Sequence, residues 1–258
     1  MFRKILLASF TLLSVTFVSG APAPQTDANS AAAARRGGRG ISLSGGLGFA
    51  AISPLIPFIN CPLTDATLSQ LPPDQTTLAV PPGTQPVAIA LGVGTQNYTC
   101  SAAGTYASAG AVATLFDLSC LVNDPLKRFA TIQDDLFKLP TPARNALVSL
   151  LARTPLNIGA HYFIKNPLPN GTGNNPKFAQ QANGGAVSTV LAKKAGIPAP
   201  NGGGANVDWL QLSALEGFGQ WATTVFRVDT KAGQPPASCS QVNSTITVPY
   251  AAKYYFYK

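Results

Sequence analysis

The chain has 258 residues, of which only 11% are charged, and it contains 24 glycines and 22 prolines. This composition excludes a coiled coil, a long helical bundle and a charge-driven disordered chain. It favours short strands joined by Gly/Pro turns. The net charge of +8 is scattered along the sequence rather than gathered in a stripe, so we expect no nucleic-acid partner.

The first twenty residues have the pattern of a secretory signal peptide. Arg3 and Lys4 form a short basic start, an apolar run covers 5–18, and small residues occupy 19–21. The run is shorter than the roughly 20 apolar residues of a membrane-spanning helix, and no later stretch is apolar enough to form one. We therefore predict a secreted protein, extracellular or in the cell wall, with no membrane span.

Residues 21–40 are rich in Ala, Ser and Gly, which is typical of a flexible linker or a pro-segment. Whether Arg35-Arg36 in this segment is cut by a processing protease stays open. We expect residues 41–258 to form a single β-rich domain.

Two further features are typical of an exported protein. An even number of cysteines in an oxidising compartment predicts two disulfides. Because the chain has one histidine and no Cys-x-x-Cys, we predict no metal site. Three Asn-x-Ser/Thr motifs are predicted glycosylation sites. The cysteines are Cys61, Cys100, Cys120 and Cys239, and the acceptor asparagines are Asn97, Asn170 and Asn243.

Strand patterns dominate the remaining chain, because alternating apolar residues recur between turn-forming clusters. Gly/Asn/Pro-rich segments at 167–175 and 196–205 are predicted loops. The predicted strands are 87–93, 96–100, 113–120, 157–165, 187–192, 207–212, 221–229 and 251–257.

Two helices are predicted between the strands that end at 120 and begin at 157. Asp124-Pro125 and Thr141-Pro142 each place a capping residue before a proline, which is typical of a helix N-terminus. The sequence therefore predicts a mainly β domain, either a sandwich or a barrel, with a short inserted helical hairpin. The expected buried positions are Leu126, Phe129, Ile132 and Leu136 in the first helix, and Ala143, Ala146, Leu147, Leu150 and Leu151 in the second.

Six blocks occur in a characteristic order along the chain. They are 81–100, 113–120, 161–163, 207–214, 225–239 and 248–258. Their order and spacing resemble the domain-of-unknown-function 3455 family, which is found in bacteria and in secreted fungal proteins. The resemblance covers about 60–258 and implies no particular activity.

Fungal members of that family are often labelled malate dehydrogenase, and the residues here do not support the label. A nicotinamide site needs a strand, a Gly-x-Gly-x-x-Gly turn and a helix. The string at 92–97 lacks the third glycine, and the glycines at 202–204 precede no helix. No arginine-rich loop accompanies His161 to bind two carboxylates. We therefore predict no cofactor.

The resemblance also bears on the disulfides. Bacterial members carry cysteines in the blocks that contain Cys100 and Cys239, which implies that these two pair and leaves Cys61 with Cys120. A pairing of Cys100 with Cys120, and of Cys61 with Cys239, stays open because spacing does not show which Cβ atoms face each other.

Catalytic candidates are few. His161 is the only histidine, so a histidine-based hydrolase would use it, with Asp117 to orient it. There is no Gly-x-Ser-x-Gly elbow, and His161 equally fits an aromatic strand in which it hydrogen-bonds locally. A glycosidase-type carboxylate pair would come from Asp117, Asp208, Glu216 and Asp229. Since Asp229 has same-face strand spacing with Arg227, we expect a structural ion pair there.

Binding is the leading functional hypothesis. Asp208 beside Trp209 is a candidate sugar platform, with Trp221 as a further binding residue. Of the two faces of the aromatic strand at 251–257, one is expected in the core, and the other either binds a partner or packs under a loop. The predicted partner is a cell-wall polysaccharide or an extracellular protein. The alternatives are an extracellular hydrolase that uses His161 or an Asp pair, and an inert wall component.

Overall fold

The computed structural model describes residues 60–63, 75–182, 184–200, 202 and 204–258; the predicted signal peptide, the 21–40 segment and Arg35-Arg36 lie outside them. Eight antiparallel strands pair in chain order, and the last pairs with the first to close a barrel. The mainly β prediction is confirmed, and of its two alternatives the barrel forms. The strands are β1 (Pro86–Cys100), β2 (Tyr106–Asp117), β3 (Asn157–Lys165), β4 (Asn174–Gln180), β5 (Ser188–Ile197), β6 (Trp209–Gly219), β7 (Thr224–Ala232) and β8 (Thr245–Tyr257).

Several predicted boundaries are wrong: the strands predicted at 87–93 and 96–100 are one strand, β1, and β4 is not among the predicted strands. Two of the differences have local reasons. Strand β2 ends at Asp117, and the chain then makes a 3-10 turn, Ser119–Leu121, that contains Cys120. The predicted loop at 167–175 overlaps β4, which begins at Asn174 and includes Pro176. Proline is tolerated there because β4 pairs with β5 only from Lys177 onwards, so the missing N–H removes no bond on that side.

The helical hairpin lies in the β2–β3 connection, as α1 (Arg128–Lys138) and α2 (Thr141–Leu151). The first helix begins later than predicted, because the chain turns at 124–127 and Lys127 has a φ of 54°. The N-cap position is therefore Lys127 rather than the predicted Asp124, although the Asp124 Oδ2 accepts a hydrogen bond from the Arg128 N–H, the first of the helix, at 3.0 Å. Leu126 precedes the helix and is 72% exposed, not buried as predicted.

The buried face of α2 also differs from the prediction. Leu150 is 49% exposed, whereas Arg144 is buried and stacks over the Phe137 ring at 4.4 Å. Val148 and Leu151 pack against the outer side of the barrel. The buried face of α2 is therefore narrow, and it lies at a different angle around the helix axis from the face that the apolar residues predict. No helix among the described residues is long and apolar enough to cross a membrane.

From Tyr250 to Tyr257, strand β8 is buried on both faces, because its side chains alternate between the barrel interior and a covered outer layer. The outward face packs under α1, where the Phe129 ring meets Tyr255 edge-on. Of the two sequence alternatives for this face, the structure shows packing rather than an exposed binding surface. The inward residues are Tyr250, Ala252, Tyr254 and Phe256, and the outward ones are Ala251, Lys253, Tyr255 and Tyr257.

Aromatic rings fill the middle of the barrel. The Trp221 ring stacks on Phe256 with 4.3 Å between centroids, and the Phe178 ring meets the Phe256 ring edge-on. Strand β1 makes room for them with Gly92, since a Cβ at this position would overlap the Tyr254 ring. The free space is therefore left at the two ends of the barrel.

Two disulfides join Cys61 to Cys120 and Cys100 to Cys239. This is the pairing that the family resemblance implies. Because Cys120 follows the end of β2 and Cys100 ends β1, the two bonds lie at opposite ends of the antiparallel barrel.

An ion pair links the last two strands beneath α1, and it replaces the predicted Arg227–Asp229 pair, which is wrong. A bulge separates Val228 from Lys231, and Asp229 takes a φ of 47°, which turns its carboxylate outward. There its Oδ2 lies 2.8 Å from the Nζ of Lys253, whose side chain is fully buried. Burial lowers the pKa of Lys253, and the Asp229 carboxylate opposes this shift.

We expect Asp229→Asn to lower the free energy of unfolding by about 3–5 kcal/mol, because it leaves the Lys253 ammonium buried without its counter-charge. Asparagine adopts positive φ as readily as aspartate, so the backbone contributes little. Chemical denaturation measures the difference. The matched control is Asp135→Asn, which removes an exposed pair with Lys138 and should cause no measurable change. Equal effects of the two substitutions would contradict this account.

Candidate functional site

His161 lies inside the barrel and is 3% exposed. Its ring stacks on Phe178 with 4.2 Å between centroids, and its Nδ1 is 3.1 Å from the Lys177 carbonyl oxygen. Since a carbonyl only accepts, Nδ1 carries the proton. Burial lowers the pKa of His161 to about 3; the Lys177 hydrogen bond opposes this shift and the Arg227 charge adds to it. The side chain is a neutral part of the core at physiological pH.

Asp117 does not meet His161. Ala113 on β2 is the partner of His161 on β3, and Asp117 lies four residues further along, a rise of about 13 Å. Its carboxylate accepts hydrogen bonds from the N–H groups of Asn60 and Ser119, each at 2.7 Å. The histidine-based arrangement considered from the sequence therefore does not assemble.

The other candidate carboxylates are also apart from one another. Asp117 and Asp208 line different pockets, and Asp229 is paired with Lys253 under α1. Glu216 is exposed on β6. Among the described residues, no group of three or more His, Cys, Asp or Glu is placed to hold a metal ion.

The three predicted binding residues occupy three different places. Trp209 is 4% exposed and packs in the outer layer with Phe226 and Val228. Asp208 lines a pocket at one end of the barrel, and Trp221 lines a pocket at the other. The Asp208–Trp209 sugar platform is therefore not formed.

The larger cavity, which we call the Trp221 pocket, has a volume of about 630 Å³. It opens at the end of the barrel where β2 leads into the helical hairpin. Its wall combines the Trp221 indole with one carboxylate and several side-chain amides. The lining includes Asp117, Asn157, Gln180, Gln181, Val87 and the Cys61 side of a disulfide.

The smaller cavity, which we call the Arg227 pocket, opens at the opposite end and has a volume of about 390 Å³. Its polar lining comes from six strands or their flanks, and its apolar wall comes mainly from β3 and β6. The polar residues are Gln96, Tyr98, Ser108, Asn174, Asn175, Lys193, Asp208, Arg227 and Gln234. The apolar residues are Phe163, Val207, Leu210 and Leu212.

Arg227 reaches the inner end of this pocket from β7. Its Nε and Nη2 donate hydrogen bonds to the Asp208 carbonyl oxygen at 3.1 and 2.9 Å. Burial raises the pKa of the Tyr254 hydroxyl, and the nearby Arg227 charge opposes this shift, as do hydrogen bonds with the side chains of Tyr250 and Arg227. The ion pairs of the described residues all join other side chains, so none of them neutralises Arg227.

Gln96 lines the same pocket as Arg227 and is 5% exposed. Its Nε2 faces the Tyr250 hydroxyl closely enough to oppose the pKa rise that burial causes there, but it has no hydrogen-bond partner of ordinary geometry among the described residues. The Tyr250 hydroxyl is instead 2.8 Å from that of Tyr254. The pocket thus contains a buried donor with free capacity.

The three predicted glycosylation motifs lie toward the Arg227 end. Asn97 is near the end of β1, while Asn170 and Asn243 are exposed in the β3–β4 and β7–β8 connections. In an antiparallel meander, the connections that run from an odd-numbered strand to the next even-numbered strand all lie at one end. Glycosylation at these positions stays a prediction, and it would leave the opposite end bare.

The fold and its end pockets define a closed, eight-stranded antiparallel barrel with a helical hairpin in one connection. The chain belongs to the family described as Protein of unknown function (DUF3455), whose model matches residues 81–258. The match covers all eight strands and leaves Cys61 outside. No curated protein and no solved structure matches the chain.

Sequence reasoning missed the Arg227 pocket. Sequence analysis does not predict Gln96, Lys193 or Arg227 as ligand contacts, and it assigns Arg227 to an ion pair with Asp229. One signal was present, since Arg227 follows Val225 by two residues and therefore shares its face of β7. Val225 is fully buried in the barrel interior, so a cation at the next inward position marks a polar site.

We expect the free energy of unfolding to fall by about 2 kcal/mol between pH 7 and pH 5. The unfolded chain, in which the His161 pKa is about 6.5, takes up a proton that the folded protein, with a pKa of about 3, does not. The stabilisation is complete above pH 6.5 and is lost as the pH falls toward 3.

Denaturant titrations at several pH values test this expectation, and the chain has no other histidine that would contribute to the pH dependence. His161→Phe keeps an aromatic ring against Phe178 and should remove the slope, and His161→Gln is the second variant should phenylalanine pack poorly. A variant that retains the wild-type slope would show that other groups cause it.

Proposed function

We propose that the protein is a secreted binding protein that holds a cell-wall saccharide in the Trp221 pocket. The observation that carries this proposal is the meeting of an indole ring, a carboxylate and side-chain amides in a cavity of about 630 Å³ at one end of a filled barrel. A volume of that size is typical of small-molecule sites.

The chemistry of the pocket suits a neutral polyol. Trp221 is 5% exposed and stacks on Phe256, so it offers the C–H groups of a sugar ring an apolar contact rather than an open platform, while amides and carboxylates take the hydroxyls. Each Asp117 oxygen accepts one backbone N–H and retains a second lone pair for a ligand. Gln181 is exposed at the rim. No Lys or Arg belongs to the described lining, so nothing there selects an anion.

Binding fits the pocket better than hydrolysis does. Glycosidases place two carboxyl groups about 5–10 Å apart across the scissile bond. Among the described residues that line the Trp221 pocket, Asp117 is the only carboxylate, and His161 lies deeper in the barrel. The site has groups that hold a sugar and no second acid or base to cleave it.

Secretion belongs to the same proposal. The two disulfides are typical of an oxidising compartment, and the first twenty residues have the signal-peptide pattern. A wall polymer is the abundant saccharide outside many cells, and one chain end of it could enter the pocket. The partner class is thus an extracellular polysaccharide.

Tryptophan fluorescence provides a direct test, because the chain has two tryptophans and only Trp221 lines the pocket. Trp209→Phe leaves Trp221 as the sole indole. We expect its emission to change saturably when β-1,3-glucan, mannan or chitin oligosaccharides are added. Trp221→Phe is the matched control, since its remaining Trp209 is buried in the outer layer and should not respond.

Retention on the insoluble polymers completes the experiment. Wild-type protein should be retained on the polymer whose oligosaccharide changes the Trp221 emission, and free oligosaccharide should release it. An unchanged emission with all three sugars, together with no retention on any polymer, would overturn the saccharide proposal.

A further inference from the structure

The Arg227 pocket holds a half-buried guanidinium and a buried amide whose hydrogen-bonding capacity is only partly used by the fold. We propose that it is a second binding site, for a small molecule that carries one carboxylate on an apolar body. This goes beyond the proposed function, because the two pockets lie at opposite ends of the barrel.

The first support is the cation inside the barrel mouth. A guanidinium has five N–H donors, and two nitrogens of Arg227 bond the Asp208 carbonyl. Those bonds fix the orientation of the side chain without neutralising its charge. The half-buried guanidinium also hydrogen-bonds the Tyr254 side chain, and a carboxylate is the acceptor that matches the geometry of the donors that remain.

Gln96 is an independent second support. The Gln96 amide nitrogen has two N–H donors and meets only the Tyr250 hydroxyl, outside ordinary hydrogen-bond geometry, and a buried donor that is not fully satisfied is costly. Its position on β1 is not forced by packing, since leucine has a similar size and would carry no such cost. A ligand oxygen in the Arg227 pocket would satisfy Nε2 and remove the penalty.

The size and wall of the cavity define the rest of the ligand. Its volume of about 390 Å³ lies in the lower part of the range for small-molecule sites. Phe163, Leu210 and Leu212 give it an apolar wall beside the polar groups. A bound molecule would therefore place its charged group near Arg227 and Gln96 and its apolar part along β3 and β6.

The charged side chains that line the Arg227 pocket favour a ligand with a single negative charge. Lys193 is exposed on β5 and adds a second cation, whereas the half-buried Asp208 contributes an anion to the same lining. The net charge of these three groups is +1. A dianion such as a phosphate monoester would face repulsion from Asp208, so a monocarboxylate fits better.

Calorimetric titration with octanoate tests the inference, and 1-octanol is the probe that has the same body without the charge. We expect wild-type protein to bind octanoate at least tenfold more tightly than octanol. Arg227→Gln should weaken octanoate binding by about ten- to a hundredfold, because it removes a charged hydrogen bond. Arg128→Gln, the same substitution at an exposed pair on α1, is the matched control and should leave binding unchanged.

Gln96→Leu separates a ligand contact from a structural role. It should keep or raise the thermal midpoint, because it deletes a buried donor that is not fully satisfied, and it should weaken octanoate binding by about three- to tenfold. It also decides the question alone if Arg227→Gln does not fold. The inference is overturned if wild-type protein does not bind octanoate, if octanol binds equally well, or if Gln96→Leu binds octanoate like the wild type.

Discussion

Barrel closure between β1 and β8 is the constraint on which the rest of the structure depends. Eight strands enclose a space that side chains can just fill, and β8 supplies four of the inward residues, three of them aromatic. Gly92 on the neighbouring strand β1 leaves space for the Tyr254 ring. Because rings occupy the middle, polar chemistry is confined to the two ends. The pockets therefore follow from the way the centre is packed.

Closure also explains why the outer layer matters. Lys253 points outward between the inward residues Ala252 and Tyr254 and is fully buried under α1, where its Nζ lies 4.4 Å from the centroid of the Phe129 ring and 2.8 Å from Asp229. A second ion pair, between Lys231 and Asp134, joins the same helix to β7 at 2.8 Å. The helical hairpin is thus attached through charges as well as through apolar contacts. It covers the seam where β7 and β8 meet.

Much of this architecture could be predicted from residue patterns. The alternation in β8 separates Tyr254 and Phe256 from Tyr255 and Tyr257, and prolines mark the helical insertion. The same alternation argues against a platform of Asp208 and Trp209, since neighbouring strand residues face opposite sides. The outward turn of Asp229 has no comparable signal, because it depends on a bulge at a non-glycine residue with positive φ. The Arg227 pocket depends on residues from distant strands, which only the barrel brings together.

The place of β8 in the chain has a consequence for biosynthesis. A nascent polypeptide emerges from its N-terminus, so β1 to β7 leave the ribosome before the strand that supplies Tyr250, Tyr254 and Phe256 to the interior. Until then β1 lacks one neighbour and the barrel has two open edges. Cys100 likewise waits for Cys239, 139 residues later, while Cys120 follows Cys61 after only 59. Translocation through a membrane pore as an extended chain is compatible with this order, because the barrel closes only when nearly all of its sequence is available.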